Sequence, residues 1–207
     1  MRECPLGARR ADSSGCYDPE MPRLFVAVDV PEAHKLALES LCNGLPGARW
    51  VRDRQFHLTL QFIGATEGPT VQAVTEALHG VRADPFELRL AGLGHFPPRG
   101  EPRVLWVGVD GGEELFALHR QVERVLKRAG IPPEDRKYSP HLTLARLNGT
   151  PLPRLLEFMR GHLEWSLEPF PVIDFQLFSS TLSTDGAQHR IEASYPLFAA
   201  RPERRST

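Results

Sequence analysis

The tetrapeptide His-Leu-Thr-Leu occurs twice in this chain, within RQFHLTLQFIG (residues 54–64) and again within YSPHLTLARLN (residues 138–148). The second copy follows the first by 84 residues, and the apolar residues around each copy are typical of a strand. Side chains alternate between the two faces of a strand, so the histidine and threonine of each copy share one face and the leucines share the other. Each copy therefore predicts a strand that exposes one imidazole and one hydroxyl on the side away from the core.

The same alternation assigns the residues that follow each motif. In the first copy it places Gln61 on the face of His57 and Thr59, and it places Phe62 on the leucine face. In the second copy it places Arg146 on the leucine face, where the guanidinium would pair with a carboxylate unless the strand bends there. Neither Phe62 nor Arg146 is therefore predicted to lie beside the histidines.

The segments around the two motifs repeat in the same order. A strand, a helix, the motif strand, a second helix and two further strands are predicted over about residues 22–110 and again over about residues 104–198. Equivalent sequences bury equivalent faces, so two similar lobes related by an approximate two-fold axis are expected. Helices on one side of each sheet would leave the free faces opposed across a central groove. The predicted fold class is α+β.

Composition limits the possible partners. The 207 residues are 41% hydrophobic and 25% charged with a net charge of −1, so any contact with nucleic acid is expected to be local. No apolar run approaches the roughly 20 residues that span a bilayer, and no secretory signal is recognisable, so we predict a cytoplasmic protein without a membrane partner. Residues 1–21 and 199–207 lack a sustained apolar period and are predicted to be a disordered leader and a flexible tail around a single domain, residues 22–198.

Two histidines and two threonines suggest chemistry at an anionic centre. Histidine titrates near neutrality, so one ring can accept a proton while the other donates one. Threonine hydroxyls can donate hydrogen bonds to oxygens that stay negative, as those of a phosphodiester do. Two imidazoles fall short of the ligands that zinc requires, and the three cysteines form no metal or disulfide pattern, so we predict neither metal nor cofactor. The remaining histidines are predicted to be surface or structural residues: His34, His79, His95, His119, His162 and His189.

The chain also resembles a known family. The paired His-x-Thr-x strands, with RLFVAVDVPE before the first, PRVLWVGV between them and PHLTLAR at the second, resemble the 2H phosphoesterase superfamily. The most similar branch is that of the RNA 2′,3′-cyclic phosphodiesterases, first described as 2′-5′ RNA ligases, and the resemblance covers about residues 22–198. It implies a bilobal, LigT-like fold in which two antiparallel-rich sheets with outer helices flank a groove. It further implies metal-independent hydrolysis of a 2′,3′-cyclic phosphate to a 2′-phosphate.

The resemblance also implies a role for each motif residue. It makes His57 the proton donor to the departing ribose oxygen and His141 the proton acceptor from the attacking water, although the two similar motifs alone do not decide this polarity. It makes Thr59 and Thr143 the hydroxyls that bind the non-bridging oxygens. Phe56 could stack on a nucleobase at the edge of the groove, or it could belong to the core.

Basic residues near the second motif leave several alternatives open. Family members often carry a basic residue two places before the second histidine, where this chain has Ser139, and Lys137 or Arg136 could substitute for it. Arg99 and Arg103 could border the groove or be solvated loop charges. The protein is expected to be a monomer, and its expected partners are RNA termini or nucleotides with a cyclic phosphate. The alternatives to hydrolysis are 2′-5′ ligation at the same site and a non-catalytic module that binds RNA ends.

Overall fold

The computed structural model describes residues 23–52, 55–183 and 186–198, so the predicted leader and tail lie outside it. Within these ranges the chain forms nine strands and four helices, which alternate along most of the sequence. The strands are β1 (Arg23–Asp29), β2 (Ala48–Trp50), β3 (His57–Ala65), β4 (Phe86–Phe96), β5 (Val104–Asp110), β6 (His141–Leu147), β7 (Phe170–Val172), β8 (Asp174–Ser183) and β9 (Gly186–Pro196). The helices are α1 (Glu32–Glu39), α2 (Gly68–Leu78), α3 (Gly112–Arg128) and α4 (Leu152–Gly161).

Local sequence explains why the longest helix forms where it does. Helix α3 carries two glutamates in its first turn and Lys127 and Arg128 in its last, and both sets of charges are favourable to the helix dipole. Its buried side chains include Leu115, Leu118 and Val122, whose spacing of three and four residues forms one apolar face. That face packs on the sheets.

No helix in the described part of the chain is long and apolar enough to cross a membrane.

The strands form two antiparallel sheets. One sheet has the order β3-β1-β8-β9, and the other has the order β2-β6-β5-β4-β7. In each sheet a motif strand, β3 or β6, lies beside an apolar strand, β1 or β5. The structure confirms the prediction of an α+β fold with two antiparallel sheets.

Each of the two sheets contains strands from both sequence repeats. Strand β4 of the first repeat forms a hairpin with β5 and lies in the second sheet, while β8 of the second repeat pairs with β1 in the first sheet. The prediction that each repeat would form its own lobe is therefore wrong. The direct β4–β5 connection, residues 97–103, explains the position of β4, because consecutive strands usually stay neighbours in space.

The leucines of both motifs lie in the hydrophobic core. Leu58, Leu60, Leu142 and Leu144 are all buried in the cluster that the helices cover. A smaller apolar cluster of Phe25, Ala27 and Phe178 lies on the other face of the first sheet. The leucine face is thus as predicted, and the opposite face is free to carry polar motif residues.

Candidate active site

The two motif strands, β3 and β6, contact each other where the sheets meet. Beside them lies a groove of about 800 Å³ whose lining includes Thr59, His141 and Thr143. His57 lies close enough to His141 for that ring to lower its pKa. The Tyr138 hydroxyl donates a hydrogen bond of 3.3 Å to the Thr59 carbonyl and so joins the loop before β6 to β3. The fold thus brings the two motifs together, and Thr59, His141 and Thr143 line the groove while His57 lies behind its lining residues.

A β-bulge changes the facing of residues after the first motif. Strand β1 pairs Ala27 with Thr59 and then Val26 with Gln61, so that Leu60 is the extra residue. Gln61 is consequently 1% exposed, and its amide donates a hydrogen bond of 3.3 Å to the Pro132 carbonyl. The prediction that strict alternation would place Gln61 beside His57 is wrong, because one extra residue reverses the alternation.

The second motif has a bulge at the equivalent position. Strand β5 pairs Trp106 with Thr143 and then Leu105 with Ala145, so that Leu144 is extra. The side chain of Arg146 therefore lines the groove instead of joining the leucines, which corrects the prediction from alternation. Among the described residues Arg146 forms no ion pair, so the suggested carboxylate partner is not observed.

Phe62 and Arg146 are the site residues that sequence reasoning missed. Each lies five positions after the histidine of its motif, and both line the groove because the two bulges are equivalent. Phe62 is 59% exposed, and its backbone N–H donates a 2.9 Å hydrogen bond to Glu134 Oε1. The matching spacing of the two residues was the signal that could have revealed them.

Phe56 does not reach the groove. Its side chain is 1% exposed and belongs to the core cluster, on the same side as Leu58. A ring in that position cannot stack on a nucleobase, so the stacking prediction for Phe56 is wrong and the core alternative is observed. Phe62 is the exposed aromatic residue beside the motif.

The ring of His57 sits among aromatic side chains. Its centroid is 4.8 Å from that of Phe25, 5.9 Å from that of Phe178 and 5.0 Å from that of His189. Burial, and after it the neighbouring His189, lower the pKa of His57 to about 3, although a hydrogen bond to the Gln55 backbone acts in the opposite direction. In the free protein His57 is therefore uncharged near neutral pH.

The ring of His141 is oriented by the backbone. Its Nδ1 lies 2.8 Å from the carbonyl oxygen of Ser139, two residues earlier, as the His57 ring is hydrogen-bonded to the backbone of Gln55. A carbonyl oxygen can only accept, so Nδ1 carries the proton in the neutral ring and Nε2 keeps a free lone pair. Phe96 packs against the edge of the same ring at 4.9 Å. Ser139 thus contributes its carbonyl where a basic side chain was expected.

Charged residues from three segments line the groove. It carries more cations than carboxylates, and Arg99 is not among the lining residues. The cations are Arg103, Arg136, Lys137 and Arg146, and the carboxylates are Glu101 and Glu134. An anion therefore meets a locally positive surface on a chain whose net charge is −1.

Two further histidines lie at this site. His119 lines the groove and stacks on Tyr138 with ring centroids 3.9 Å apart. His189 packs against the ring of His57, and the predicted surface or structural role did not specify this contact. No cluster of three or more His, Cys, Asp or Glu side chains that could hold a metal ion occurs in residues 23–52, 55–183 and 186–198.

The two sheets and their paired motif strands define the LigT-like fold, and comparison with solved structures agrees. The crystal structure of TT0787 of Thermus thermophilus superposes with a TM-score of 0.70 at 28% identity, covering 84% of this chain and 97% of that one. Escherichia coli LigT complexed with 3′-AMP superposes with a TM-score of 0.68 at 23% identity, covering 87% of this chain and 100% of that one. At this identity the second comparison shows the fold.

Sequence comparison then identifies the family. The sequence-family model of the 2′-5′ RNA ligase superfamily matches residues 28–181, and this chain belongs to that superfamily. A protein of Aeropyrum pernix named RNA 2′,3′-cyclic phosphodiesterase is 39% identical over 146 residues, which are 70% of this chain and 82% of that protein. A protein of Archaeoglobus fulgidus with the same name is 32% identical over 167 residues, which are 79% of this chain and 94% of that protein. The resemblance inferred from the motifs is confirmed.

Proposed function

We propose that this protein is an RNA 2′,3′-cyclic phosphodiesterase that opens cyclic phosphate ends of RNA or of nucleotides to 2′-phosphates. The names of its relatives support this reaction. The observation that carries the proposal is the convergence of two His-x-Thr strands from one chain on one groove. Because both motifs come from the same chain, the proposed site needs no second copy of the protein.

The proposed mechanism uses one imidazole on each side of the phosphorus atom. Nε2 of His141 accepts a proton from water, whose oxygen forms a bond to phosphorus while the bond from phosphorus to the ribose 3′ oxygen breaks. His57 donates a proton to that departing oxygen, and the phosphate remains on the 2′ oxygen. Thr59 and Thr143 donate hydrogen bonds to the non-bridging oxygens, which stay negative. Each proton transfer typically accelerates such a step by about 10²- to 10⁴-fold.

His57 must gain its proton together with the substrate. In the free protein its pKa is lowered to about 3, so the ring is uncharged. A bound phosphodiester places a negative charge beside the ring, which favours the charged imidazolium and raises its pKa. The anion thus supplies the condition under which His57 can act as the donor.

Two kinds of side chain in the groove suit different parts of a nucleotide. The exposed ring of Phe62 offers a flat surface for a nucleobase. Arg146, with Arg103 close to the neighbouring strand, offers guanidinium groups to phosphate oxygens. Phe62 takes the stacking role that the sequence suggested for Phe56.

The test is an assay with an RNA oligonucleotide that ends in a 2′,3′-cyclic phosphate. We expect 2′-phosphate ends to accumulate at the same rate with and without EDTA, because the proposed steps use side chains alone. Absence of turnover would favour a module that binds RNA ends, and loss of turnover in EDTA would indicate a metal. Joining of two RNA strands in excess of hydrolysis would favour the ligase reaction at the same site.

The histidine roles are tested in the same assay. We expect His57→Ala and His141→Ala each to lower kcat by at least roughly 10²-fold, since each removes one proton-transfer group. The matched control is His79→Ala, because His79 packs edge-on against Tyr195 at 5.0 Å at the C-terminal end of α2, outside both motifs. Melting temperatures close to that of the wild type would show that the fold is intact. Near-normal activity in either site variant would contradict the paired mechanism.

A further inference from the structure

His189 stands against His57 on the face of the first sheet that carries Phe25. The two rings meet edge to face with centroids 5.0 Å apart and an interplanar angle of 62°. His189 also meets Phe25 edge to face at 5.1 Å, and Phe25 stacks on Phe178 at 5.1 Å with an angle of 5°. His57 is therefore enclosed by two phenylalanine rings and a third histidine that belongs to neither motif.

Hydrogen bonds fix β9, which carries His189, relative to His57. Gln55 donates a side-chain hydrogen bond to the Ala187 carbonyl on β9, while its backbone is hydrogen-bonded to the His57 ring. On the other side, β9 pairs His189 with Ser180 of β8. The backbone of β9 around His189 is thus held in place from two directions. The Nδ1 of His189 is buried and has no hydrogen-bond partner among the described residues.

We propose that His189 is a positioning residue, which holds the His57 ring in place beside the groove and competes with it for the one proton that the two adjacent rings can share. The inference rests on the proposed function for its effect on catalysis. The contact between the two rings is independent of that function, because it is a feature of the free protein.

The charges around His57 show why His189 matters among its neighbours. Two imidazolium groups this close repel each other, so a proton on one ring disfavours a proton on the other. His189, Lys35 and His141 all lower the pKa of His57, and among these three His189 has the largest effect. The charge of Lys35 is partly compensated by Asp29, whose carboxylate lies 2.9 Å from its Nζ.

Burial also lowers the pKa of His189 itself. On the same strand, Arg190 lies 4.0 Å from the carboxylate of Glu192, which accepts a 2.6 Å hydrogen bond from Ser179. The free protein is therefore expected to hold both rings of the His57–His189 pair uncharged near neutral pH. A bound anion favours a proton on the pair, and the proposed mechanism requires that proton on His57.

The first test replaces His189 by phenylalanine, which keeps a ring of similar shape and removes the titrating group. We expect the NMR titration of the His57 Cε1 proton to shift to higher pH by at least about half a unit, equivalent to a threefold change in proton affinity. The limb of the pH profile of kcat/KM that belongs to His57 should move in the same direction. The control variant His79→Phe, in an edge-on contact with Tyr195, should move neither.

The reciprocal test does not depend on catalysis. The coupling acts on the ring that is protonated second, and His57 is not among the causes that lower the pKa of His189. His57→Phe should therefore leave the titration of His189 unchanged, while His189→Phe shifts that of His57. An unshifted titration of His57 in His189→Phe, or a lower kcat with an unchanged pH profile, would reduce His189 to a packing residue and overturn the inference. Failure of the cyclic phosphodiesterase assay would leave the NMR result standing, so the two proposals fail separately.

Discussion

Arg146 and Phe62 are the residues at which the two halves of the site differ. The motif positions are the same in both halves, so the histidines and threonines alone give no direction to a bound nucleotide. The fifth position after each histidine carries a cation in one half and an aromatic ring in the other, and both line the groove. We infer that this difference gives the substrate its orientation, with a phosphate beside Arg146 and a base on Phe62.

The contribution of Arg146 can be measured directly. We expect Arg146→Ala to raise KM for a cyclic-phosphate oligonucleotide by about 10- to 100-fold, because a charge-assisted hydrogen bond is worth roughly 1.5–3 kcal/mol. The salt dependence of kcat/KM should also become weaker, since one phosphate contact is lost. The control is Arg124→Ala, which removes an exposed arginine of α3 that contacts Gln121. Equal effects of the two substitutions on KM would contradict the proposed phosphate contact.

At the scale of single strands, the sequence predicted the motif residues and failed immediately after them. Alternation with a period of two correctly placed the motif leucines in the core and also explains the burial of Phe56 on the side of Leu58. It failed at Gln61, because the extra residue at Leu60 reverses the two faces. A bulge depends on the register with a neighbouring strand, and that register is a long-range property that a local pattern does not contain.

The arrangement of strands in the sheets was also beyond local pattern. The sequence contained the elements and their repetition, and both are found in the structure. It did not contain the pairing of β8 with β1, because antiparallel partners far apart in sequence are selected by packing and not by a turn. The consequence for the site is that His57 packs against Phe178, a residue from the second repeat.

Close contact between β4 and β5 supports His141. A Cβ atom added at Gly94 of β4 would lie 2.1 Å from the Trp106 ring, which packs against Phe96 at 5.3 Å and against His141 at 6.3 Å. We expect Gly94→Ala to lower the free energy of unfolding by about 1–3 kcal/mol, as overpacking typically does. Turnover should fall as well, because the displaced indole no longer supports the ring of His141.

The comparison that isolates this contact is Gly68→Ala at the start of α2. No atom lies within 4 Å of a Cβ added there, so this substitution should leave stability unchanged or raise it slightly. Denaturant unfolding and steady-state kinetics would be measured for both variants. Equal stability of the two would show that Trp106 moves aside without cost.

For the molecule as a whole, the distribution of charge matters more than its total. The net charge of −1 argues against a protein that coats nucleic acid, yet the groove gathers an excess of cations at the junction of the two sheets. A locally positive groove on a nearly neutral molecule suits the binding of a terminus, where few phosphates are engaged. The same junction holds the uncharged His57, so the electrostatics of the site also affect the stability of the fold.

The stability of the whole protein should therefore depend on pH through His57. Its pKa in the folded protein is lowered to about 3, below the value of roughly 6.5 expected in the unfolded chain, so the unfolded state binds more protons at acidic pH. The stabilising contribution is fully present above roughly pH 6.5 and is lost progressively as the pH falls toward the folded value. We expect the melting temperature to fall between about pH 7 and pH 5, and to fall less in His57→Phe.

The difference in melting temperature between the wild type and His57→Phe isolates the contribution of His57, because protonation of the carboxylates affects both proteins equally. His189 and His119 also have pKa values lowered by burial, so part of the pH dependence should persist in His57→Phe. In the double variant His57→Phe/His189→Phe the melting temperature should depend on pH less again. The combined reduction should be smaller than the sum of the reductions in the two single variants, because the two rings are coupled. If the melting temperatures of the wild type and His57→Phe fell equally over this pH range, His57 would have the same pKa in the folded and unfolded states. The ring would then be able to hold its proton before the phosphate arrives.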